Sequence, residues 1–125
     1  RGLDDMILIK DNHLAALTGK CRIAEAVRRA RLASSDLKIE VEVETLEQVE
    51  QATEAGADIV LLDNMTIEEL GKAVELINGR AQIEASGGIT LDNIREVAKT
   101  GVNYISVGAI THSANTVDIS MEIVS

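Results

Sequence analysis

Short aliphatic segments alternate with amphipathic ones along this chain, and this alternation limits the fold more than any other feature of the sequence. The aliphatic segments occupy residues 6–10, 38–43, 58–63, 82–86 and 104–108. The segments between them place apolar residues three and four positions apart, as one buried helix face requires, over 22–33, 46–56, 67–77 and 91–101. The order predicts parallel strands joined by helices.

The spacing of the predicted strands favours a barrel. After the first interval the strands recur every 20 to 24 residues, which is a tight strand-helix unit, and such connections are almost always right-handed. A complete (β/α)8 barrel takes about 250 residues, whereas this chain has 125. We therefore expect an α/β fold, namely a partial parallel (β/α) barrel of about five strands that lacks its N-terminal part.

Capping signals mark several helix ends. Thr45 and Thr66 each precede a predicted helix and have Gln or Glu three residues later, the capping-box pattern, which Thr90 fits only loosely. Gly56 and Gly101 lie where two helices should end. The basic run "RRAR" at 28–31 is interpreted as a solvated helix face.

Composition narrows the range of ligands and partners. Tyr104 is the one aromatic residue, so a ligand must be held by charge and backbone and not by ring stacking. A net charge of −9 argues against nucleic acid and anionic membranes, which both require clustered Lys and Arg. Cys21 is the one cysteine, and no apolar run approaches the roughly 20 residues of a membrane span. These features fit a cytoplasmic protein.

Polar residues follow the predicted strands, where parallel α/β proteins place their active sites. Lys10 ends the first strand and precedes Asp11, Asn12 and His13. A lysine at a strand end often only reaches solvent, but its polar neighbours indicate a loop where an anion could bind. A histidine at the place of His13 is more often structural than a general base, and its role stays open.

Carboxylates collect on the next two strands. Glu40, Glu42 and Glu44 alternate with aliphatic residues and so share one side of a strand. In a barrel that side faces either the helix layer or the interior, and an exposed edge strand is the alternative. Buried carboxylates cost several kcal/mol each unless they are paired or bind a cation. Asp63 ends the neighbouring strand. Two carboxylates on adjacent strands suit Mg²⁺, which takes its other ligands from water and substrate.

Glycine-containing loops follow the last two strands, in "EASGGIT" (84–90) and "SVGAIT" (106–111). Small residues that open onto a helix present unobstructed backbone N–H groups to an anion. A single Gly-Gly also serves tight turns, but two such loops on consecutive strands predict a phosphate-bearing ligand.

Five motifs in order resemble the quinolinate phosphoribosyltransferase family, also called nicotinate-nucleotide pyrophosphorylase (carboxylating). They are "GLDDMILIKDNH" (2–13), "IEVEVETLEQ" (39–48), "ADIVLLDNMT" (57–66), "EASGGIT" (84–90) and "ISVGAIT" (105–111). The resemblance implies transfer of the phosphoribosyl group from phosphoribosyl pyrophosphate to quinolinate. The products would be CO₂, pyrophosphate and nicotinate mononucleotide, an intermediate of NAD biosynthesis.

The resemblance also implies site residues and a cofactor. Magnesium would accompany the pyrophosphate donor. Lys10 would contact the anionic substrates, and Glu42 and Asp63 would lie near the ribose hydroxyls and the metal. The two phosphate-binding loops would be Ser86, Gly87 and Gly88, and Val107, Gly108 and Ala109.

By the same resemblance, residues 1–125 would be the C-terminal portion of the barrel catalytic domain. An N-terminal sandwich domain and the basic residues that recognise quinolinate would precede Arg1, so this part alone is expected to be inactive. The resemblance also implies a homodimer or larger homo-oligomer.

Two other interpretations remain open. The phosphate loops fit another phosphosugar-binding barrel, such as a relative of thiamine-phosphate synthase, equally well, although "IKDNH" and "EVEVETLEQ" do not. A non-catalytic fragment that binds a partner would fold as a monomer and bind no phosphoribosyl ligand.

Overall fold

The computed structural model describes residues 6–10, 22–107 and 110–114. Its sheet has six strands in chain order: β1 (Met6–Ile9), β2 (Lys38–Val43), β3 (Ile59–Asp63), β4 (Gln82–Ser86), β5 (Tyr104–Val107) and β6 (Ile110–Ser113). The helices are α1 (Arg22–Ala33), α2 (Leu46–Glu54), α3 (Ile67–Ile77) and α4 (Ile94–Lys99). Strands β1 to β5 are parallel and alternate with the helices, which confirms the predicted partial α/β barrel.

The sixth strand was not predicted. Strand β6 runs antiparallel to β5, with Val107 paired to Ile110. The segment had been interpreted as part of a loop, yet Ile110 and Thr111 are β-branched residues that favour strands. Pairing also covers the outer edge of β5, which would otherwise expose a row of unpaired backbone groups.

Both predicted capping boxes are present. The N–H of Gln48 donates to Thr45 Oγ1 at 3.2 Å, and the N–H of Glu69 donates to Thr66 Oγ1 at 3.1 Å. In each case the glutamine or glutamate side chain accepts from the backbone N–H of its threonine. The predicted end of the second helix is confirmed as well, since Gly56 follows α2 with a φ of 87°.

Helix α4 is shorter than the predicted 91–101 and begins at Ile94. Thr90 Oγ1 accepts from the N–H of Asp92 at 3.2 Å, and Asn93 Oδ1 accepts from the N–H of Thr90 at 2.8 Å. These bonds hold 90–93 in a turn before the helix starts. Gly101, with a φ of 101°, follows the helix end as predicted.

The core lies between the sheet and the helices. Ile39, Val41 and Val43 of β2 are fully buried there against helix residues such as Ile23 and Val49. Burial of one such aliphatic side chain contributes about 1.5–3 kcal/mol. Alternation places Glu40 and Glu42 on the opposite face of the sheet, which would be the interior of a closed barrel.

The three alternating glutamates become more exposed towards the carboxyl end of β2. Glu40 is 4% exposed, Glu42 is half-buried and Glu44 is exposed. The alternative of an exposed edge strand is wrong, because β2 lies between β1 and β3. The register pairs Glu40 with Ile59 and Glu42 with Leu61. Glu42 is therefore the strand glutamate that is both on the inner face and accessible.

Arg31 is not part of a purely solvated face. Its guanidinium donates to the Gly56 carbonyl at 2.9 Å, the Leu37 carbonyl at 3.3 Å and Asp58 Oδ2 at 3.0 Å. Asp58 Oδ2 also accepts the N–H of Ile39 at 2.8 Å. Arg31 thus ties α1 to the amino-terminal ends of β2 and β3. Within the described residues, no helix is long and apolar enough to cross a bilayer.

Candidate active site

The end of β3 and the end of β4 are joined at the carboxyl edge of the sheet. Asp63 is paired in register with Ser86, and it shares the inner face with Leu61 by strand alternation. The N–H of the next residue, Asn64, donates to the Ser86 carbonyl at 2.7 Å. The predicted carboxylate and the first predicted phosphate loop therefore lie side by side.

Gly87 and Gly88 lie in close contact with the β3–α3 loop. Both have positive φ, at 79° and 70°. A Cβ on Gly87 would lie 2.7 Å from Asp63 Oδ1 and 2.9 Å from the backbone nitrogen of Asn64. A Cβ on Gly88 would lie 3.4 Å from Asn64 Oδ1. The space beside Gly87 is thus filled by Asp63, so this glycine is required by the neighbouring loop whether or not a phosphate binds.

The backbone of this loop still offers donors to a ligand. Both glycines are exposed, and among the described residues neither backbone N–H donates a hydrogen bond. The Gly88 carbonyl is held by the side chain of Asn93, whose Nδ2 donates to it at 2.9 Å. Two oriented and available N–H groups can bind an anion such as a phosphate.

The helix contribution to this phosphate site is smaller than predicted. Helix α4 begins at Ile94, six positions after Gly88, and has only six residues. The field of a helix N-terminus falls off within about one turn, so it adds little at Gly87. Anion binding at this loop therefore depends on the backbone N–H groups themselves.

Two hollows lie at opposite ends of the sheet. One of about 170 Å³ lies between the Gly87–Gly88 loop and the start of α3, with Thr66 and Asn93 also in its wall. A larger one of about 480 Å³ is lined by Lys38, Asp58 and Arg80 among others, at the amino-terminal ends of the strands. Active sites of parallel barrels lie at the carboxyl ends, where the smaller hollow is found, but neither Asp63 nor Glu42 is in its wall.

Glu42 and Lys10 belong to the same face as Asp63. Glu42 pairs with Leu61, so it lies one strand across and two residues below Asp63, or about 8 Å between α-carbons by strand geometry. Lys10 is exposed and follows β1, where alternation places it on the side of Leu8. The three side chains can therefore converge on one ligand.

The donor set suits a magnesium ion that arrives with its ligand. Among the described residues, no group of three or more His, Cys, Asp or Glu side chains could hold a metal. Mg²⁺ does not need such a group, because it commonly binds one or two carboxylates and completes its shell with water and phosphate oxygens. Glu42 and Asp63, both half-buried, fit that requirement.

Sequence reasoning missed one carboxylate on this face. Glu84 is 4% exposed and lies in the same row as Leu61 and Tyr104. The signal was present, because alternation within "QIEAS" puts Glu84 on the side of Ser86. Asn93, whose side chain holds the Gly88 carbonyl, was likewise not predicted as a site residue.

The second phosphate loop stays a prediction. Gly108 and Ala109 lie outside the described residues, as do His13 and its neighbours at 11 and 12. Val107 is described, and its side chain is 3% exposed in the helix-facing core. Any contact of Val107 with a ligand must therefore be made by its backbone.

Comparison with known proteins shows the family of this chain. The family described as quinolinate phosphoribosyl transferase, C-terminal domain, matches residues 1–122. A probable nicotinate-nucleotide pyrophosphorylase (carboxylating) of Methanocaldococcus jannaschii is 48% identical over 130 residues, which cover 98% of this chain and 44% of that protein. This chain therefore spans less than half the length of that relative.

Solved structures agree with the sequence comparison. The nicotinate-nucleotide pyrophosphorylase of Francisella tularensis has a TM-score of 0.78 and 45% identity, over 86% of this chain and 38% of that one. The thiamine phosphate pyrophosphorylase of Pyrococcus furiosus has a TM-score of 0.66 and 28% identity, over 82% of this chain and 48% of that one.

Proposed function

The chain belongs to the quinolinate phosphoribosyltransferase family, and we propose that it forms the C-terminal portion of the α/β-barrel catalytic domain of such an enzyme. The reaction is transfer of the phosphoribosyl group from phosphoribosyl pyrophosphate to quinolinate with decarboxylation. Its products are nicotinate mononucleotide, CO₂ and pyrophosphate, which places the enzyme in NAD biosynthesis.

One observation carries this proposal. The Asp63 carboxylate and the available N–H groups of Gly87 and Gly88 lie next to each other at the carboxyl edge of the sheet. A phosphoribosyl donor carries hydroxyls and a 5-phosphate on one sugar, and carboxylates and backbone N–H groups are complementary to these. Separate sites for a sugar and a phosphate would not need such close contact.

The residues take the following roles. The N–H groups of Gly87 and Gly88 hold the 5-phosphate, while Asp63 and Glu42 accept hydrogen bonds from the ribose hydroxyls. As the bond to pyrophosphate breaks, positive charge develops on the ribose, and fixed carboxylates stabilise it. When bound, Mg²⁺ neutralises charge on the leaving pyrophosphate, and Glu42 and Asp63 would hold it. Lys10 binds an anionic group of the substrates.

The net charge of this chain is unfavourable for binding the acceptor. A net charge of −9 opposes the approach of dianionic quinolinate and of the highly charged donor. The proposal therefore includes cationic residues from the rest of the protein, since the relatives are more than twice as long as the matched part. A homodimer or larger homo-oligomer in the cytoplasm completes the proposal.

The test is an assay of the full-length protein with quinolinate, phosphoribosyl pyrophosphate and Mg²⁺. We expect nicotinate mononucleotide and CO₂ in equal amounts, and no CO₂ when nicotinate replaces quinolinate. Donor binding without product would favour a phosphosugar barrel with another acceptor, for which the similarity to thiamine phosphate pyrophosphorylase is the supporting observation. Binding of neither substrate would favour a non-catalytic protein.

A further inference from the structure

Asn64 has an unusual backbone conformation at the point where two loops meet. Among the described residues, only Asn64 and Asn78 are non-glycine residues with positive φ, at 58° and 48°. Asn78 ends α3, where a left-handed residue is a common helix cap. Asn64 instead follows β3 directly, beside Asp63, and does not follow a helix.

The conformation of Asn64 allows the chain to pair with β4 and then to turn towards α3. Its N–H still pairs with the Ser86 carbonyl at 2.7 Å, as if β3 continued. The left-handed φ then turns the chain out of the strand, so that Thr66 can cap α3 only two residues later. A residue with negative φ would extend the strand and move the start of α3.

The side chain of Asn64 reaches the other loop. Its Oδ1 would lie 3.4 Å from a Cβ on Gly88, and its backbone nitrogen would lie 2.9 Å from one on Gly87. Asp63 Oδ1 approaches Gly87 from the same side. The backbone of residues 86–88 is thus packed against residues 63 and 64 along its whole length.

We infer that Asn64 is a positioning residue that holds the Asp63 carboxylate and the Gly87–Gly88 backbone in one fixed arrangement. This inference rests on the proposed function and adds a residue to it. A phosphoribosyl donor must meet the carboxylate and the N–H groups at the same time. Binding groups that are already arranged lose little freedom on binding, whereas displacement by about 1 Å weakens the interaction strongly.

The test uses a matched pair of substitutions in the full-length protein. Alanine disfavours positive φ, so Asn64→Ala and Asn78→Ala each drive the backbone away from the left-handed conformation, a change that a folded domain tolerates. We expect similar decreases in Tm for the two variants. Only Asn64→Ala should weaken the binding of phosphoribosyl pyrophosphate, with a Kd at least tenfold higher than that of the parent. The Kd of quinolinate should stay within twofold of the parent value.

A third variant separates backbone from side chain. Glycine adopts positive φ without strain, so Asn64→Gly should restore the Kd of phosphoribosyl pyrophosphate to within about threefold of the parent. All titrations are made by calorimetry at a temperature where each variant is folded, and kcat and KM are measured alongside.

The outcomes are distinct. Equal donor affinity in Asn64→Ala and Asn78→Ala would show a structural role only and overturn the inference. Failure of Asn64→Gly to restore binding would also overturn it, because donor binding would then depend on the amide side chain and not on the left-handed backbone of Asn64. A parent protein that forms no nicotinate mononucleotide would instead refute the proposed function.

Discussion

The Asp63 carboxylate lies against the α-carbon of Gly87, with no room for a methyl group between them. A Cβ on Gly87 would fall 2.7 Å from Asp63 Oδ1, which is closer than non-bonded carbon and oxygen atoms approach each other. The contact joins two loops that follow different strands. A side chain at position 87 must therefore displace the Asp63 carboxylate.

Substitution of Gly87 by alanine should separate this contact from simple backbone strain. Gly79 has the same φ of 79°, and a Cβ there would meet no atom within 4 Å. Gly87→Ala and Gly79→Ala should both lose about 1 kcal/mol from the left-handed conformation. Only Gly87→Ala should weaken the binding of phosphoribosyl pyrophosphate and nicotinate mononucleotide, by tenfold or more in Kd, because it displaces Asp63.

Calorimetric titration of three ligands checks this prediction. Quinolinate carries no phosphate, so its Kd should stay within a few-fold of the parent in both variants. Loss of quinolinate binding together with the phosphorylated ligands, in a folded protein, would assign the loop to the acceptor pocket or to the fold.

Removal of charge from the site carboxylates should affect turnover far more than stability. Glu42→Gln and Asp63→Asn keep shape but weaken attraction for Mg²⁺ and for the cationic ribose, so kcat should fall about a hundredfold or more. Glu40→Gln should be milder, because Glu40 is 4% exposed and lies one row deeper, opposite Ile59.

Two measurements decide between the roles of these carboxylates. Glu42→Gln and Asp63→Asn should each require more Mg²⁺ for the half-maximal rate, and their Tm should stay close to that of the parent. If all three variants lose activity equally, or activity follows Tm, the carboxylates are structural.

Local signals in the sequence were sufficient for most of the fold. Alternation and the capping boxes at Thr45 and Thr66 depend on residues a few positions apart, and they predicted five strands and the starts of two helices. Strand β6 was missed because its pairing with β5 decides its conformation. The late start of α4 depends on side-chain bonds of Thr90 and Asn93 that resemble a cap.

The site was predicted in its residue types but not in its contacts. Strand ends indicated Asp63 and Gly87 separately, whereas their contact depends on the register of β3 with β4. Register follows from the packing of many side chains and cannot be derived from either strand alone. The positive φ of Asn64 occurs at the turn that follows this pairing.

The pH dependence of stability should contain a small contribution from Glu25 on α1. Hydrogen bonds from Arg28 and Arg29 lower the pKa of the Glu25 carboxyl from 4.5 to about 2. A lowered pKa adds stability that is fully present above pH 4.5 and is lost as the pH falls towards 2. The difference in Tm between the parent and Glu25→Gln should therefore shrink over that range.

Salt provides the control for the Glu25 prediction. The side chains lie at the surface, where ions screen their attraction, so 1 M salt should remove most of the difference at pH 6. A Tm difference that is independent of both pH and salt would show that Glu25 acts through packing or helix propensity.

Arg31 should contribute to stability without affecting catalysis, in contrast to Arg28 on the same helix. Arg31 binds two backbone carbonyls and Asp58 at the amino-terminal end of the sheet, opposite the candidate site. Arg31→Met would remove one donor from each of these acceptors and should lower the free energy of unfolding by about 1–3 kcal/mol. In the part of the chain that the structure describes, Arg28 pairs with Glu25 alone, at 2.6 Å and with its side chain 61% exposed, so Arg28→Met should cost clearly less than Arg31→Met. Urea denaturation of the full-length variants measures both effects, and kcat should be unchanged in each. Equal losses for the two variants would show that the Arg31 contacts do not hold α1 to the sheet.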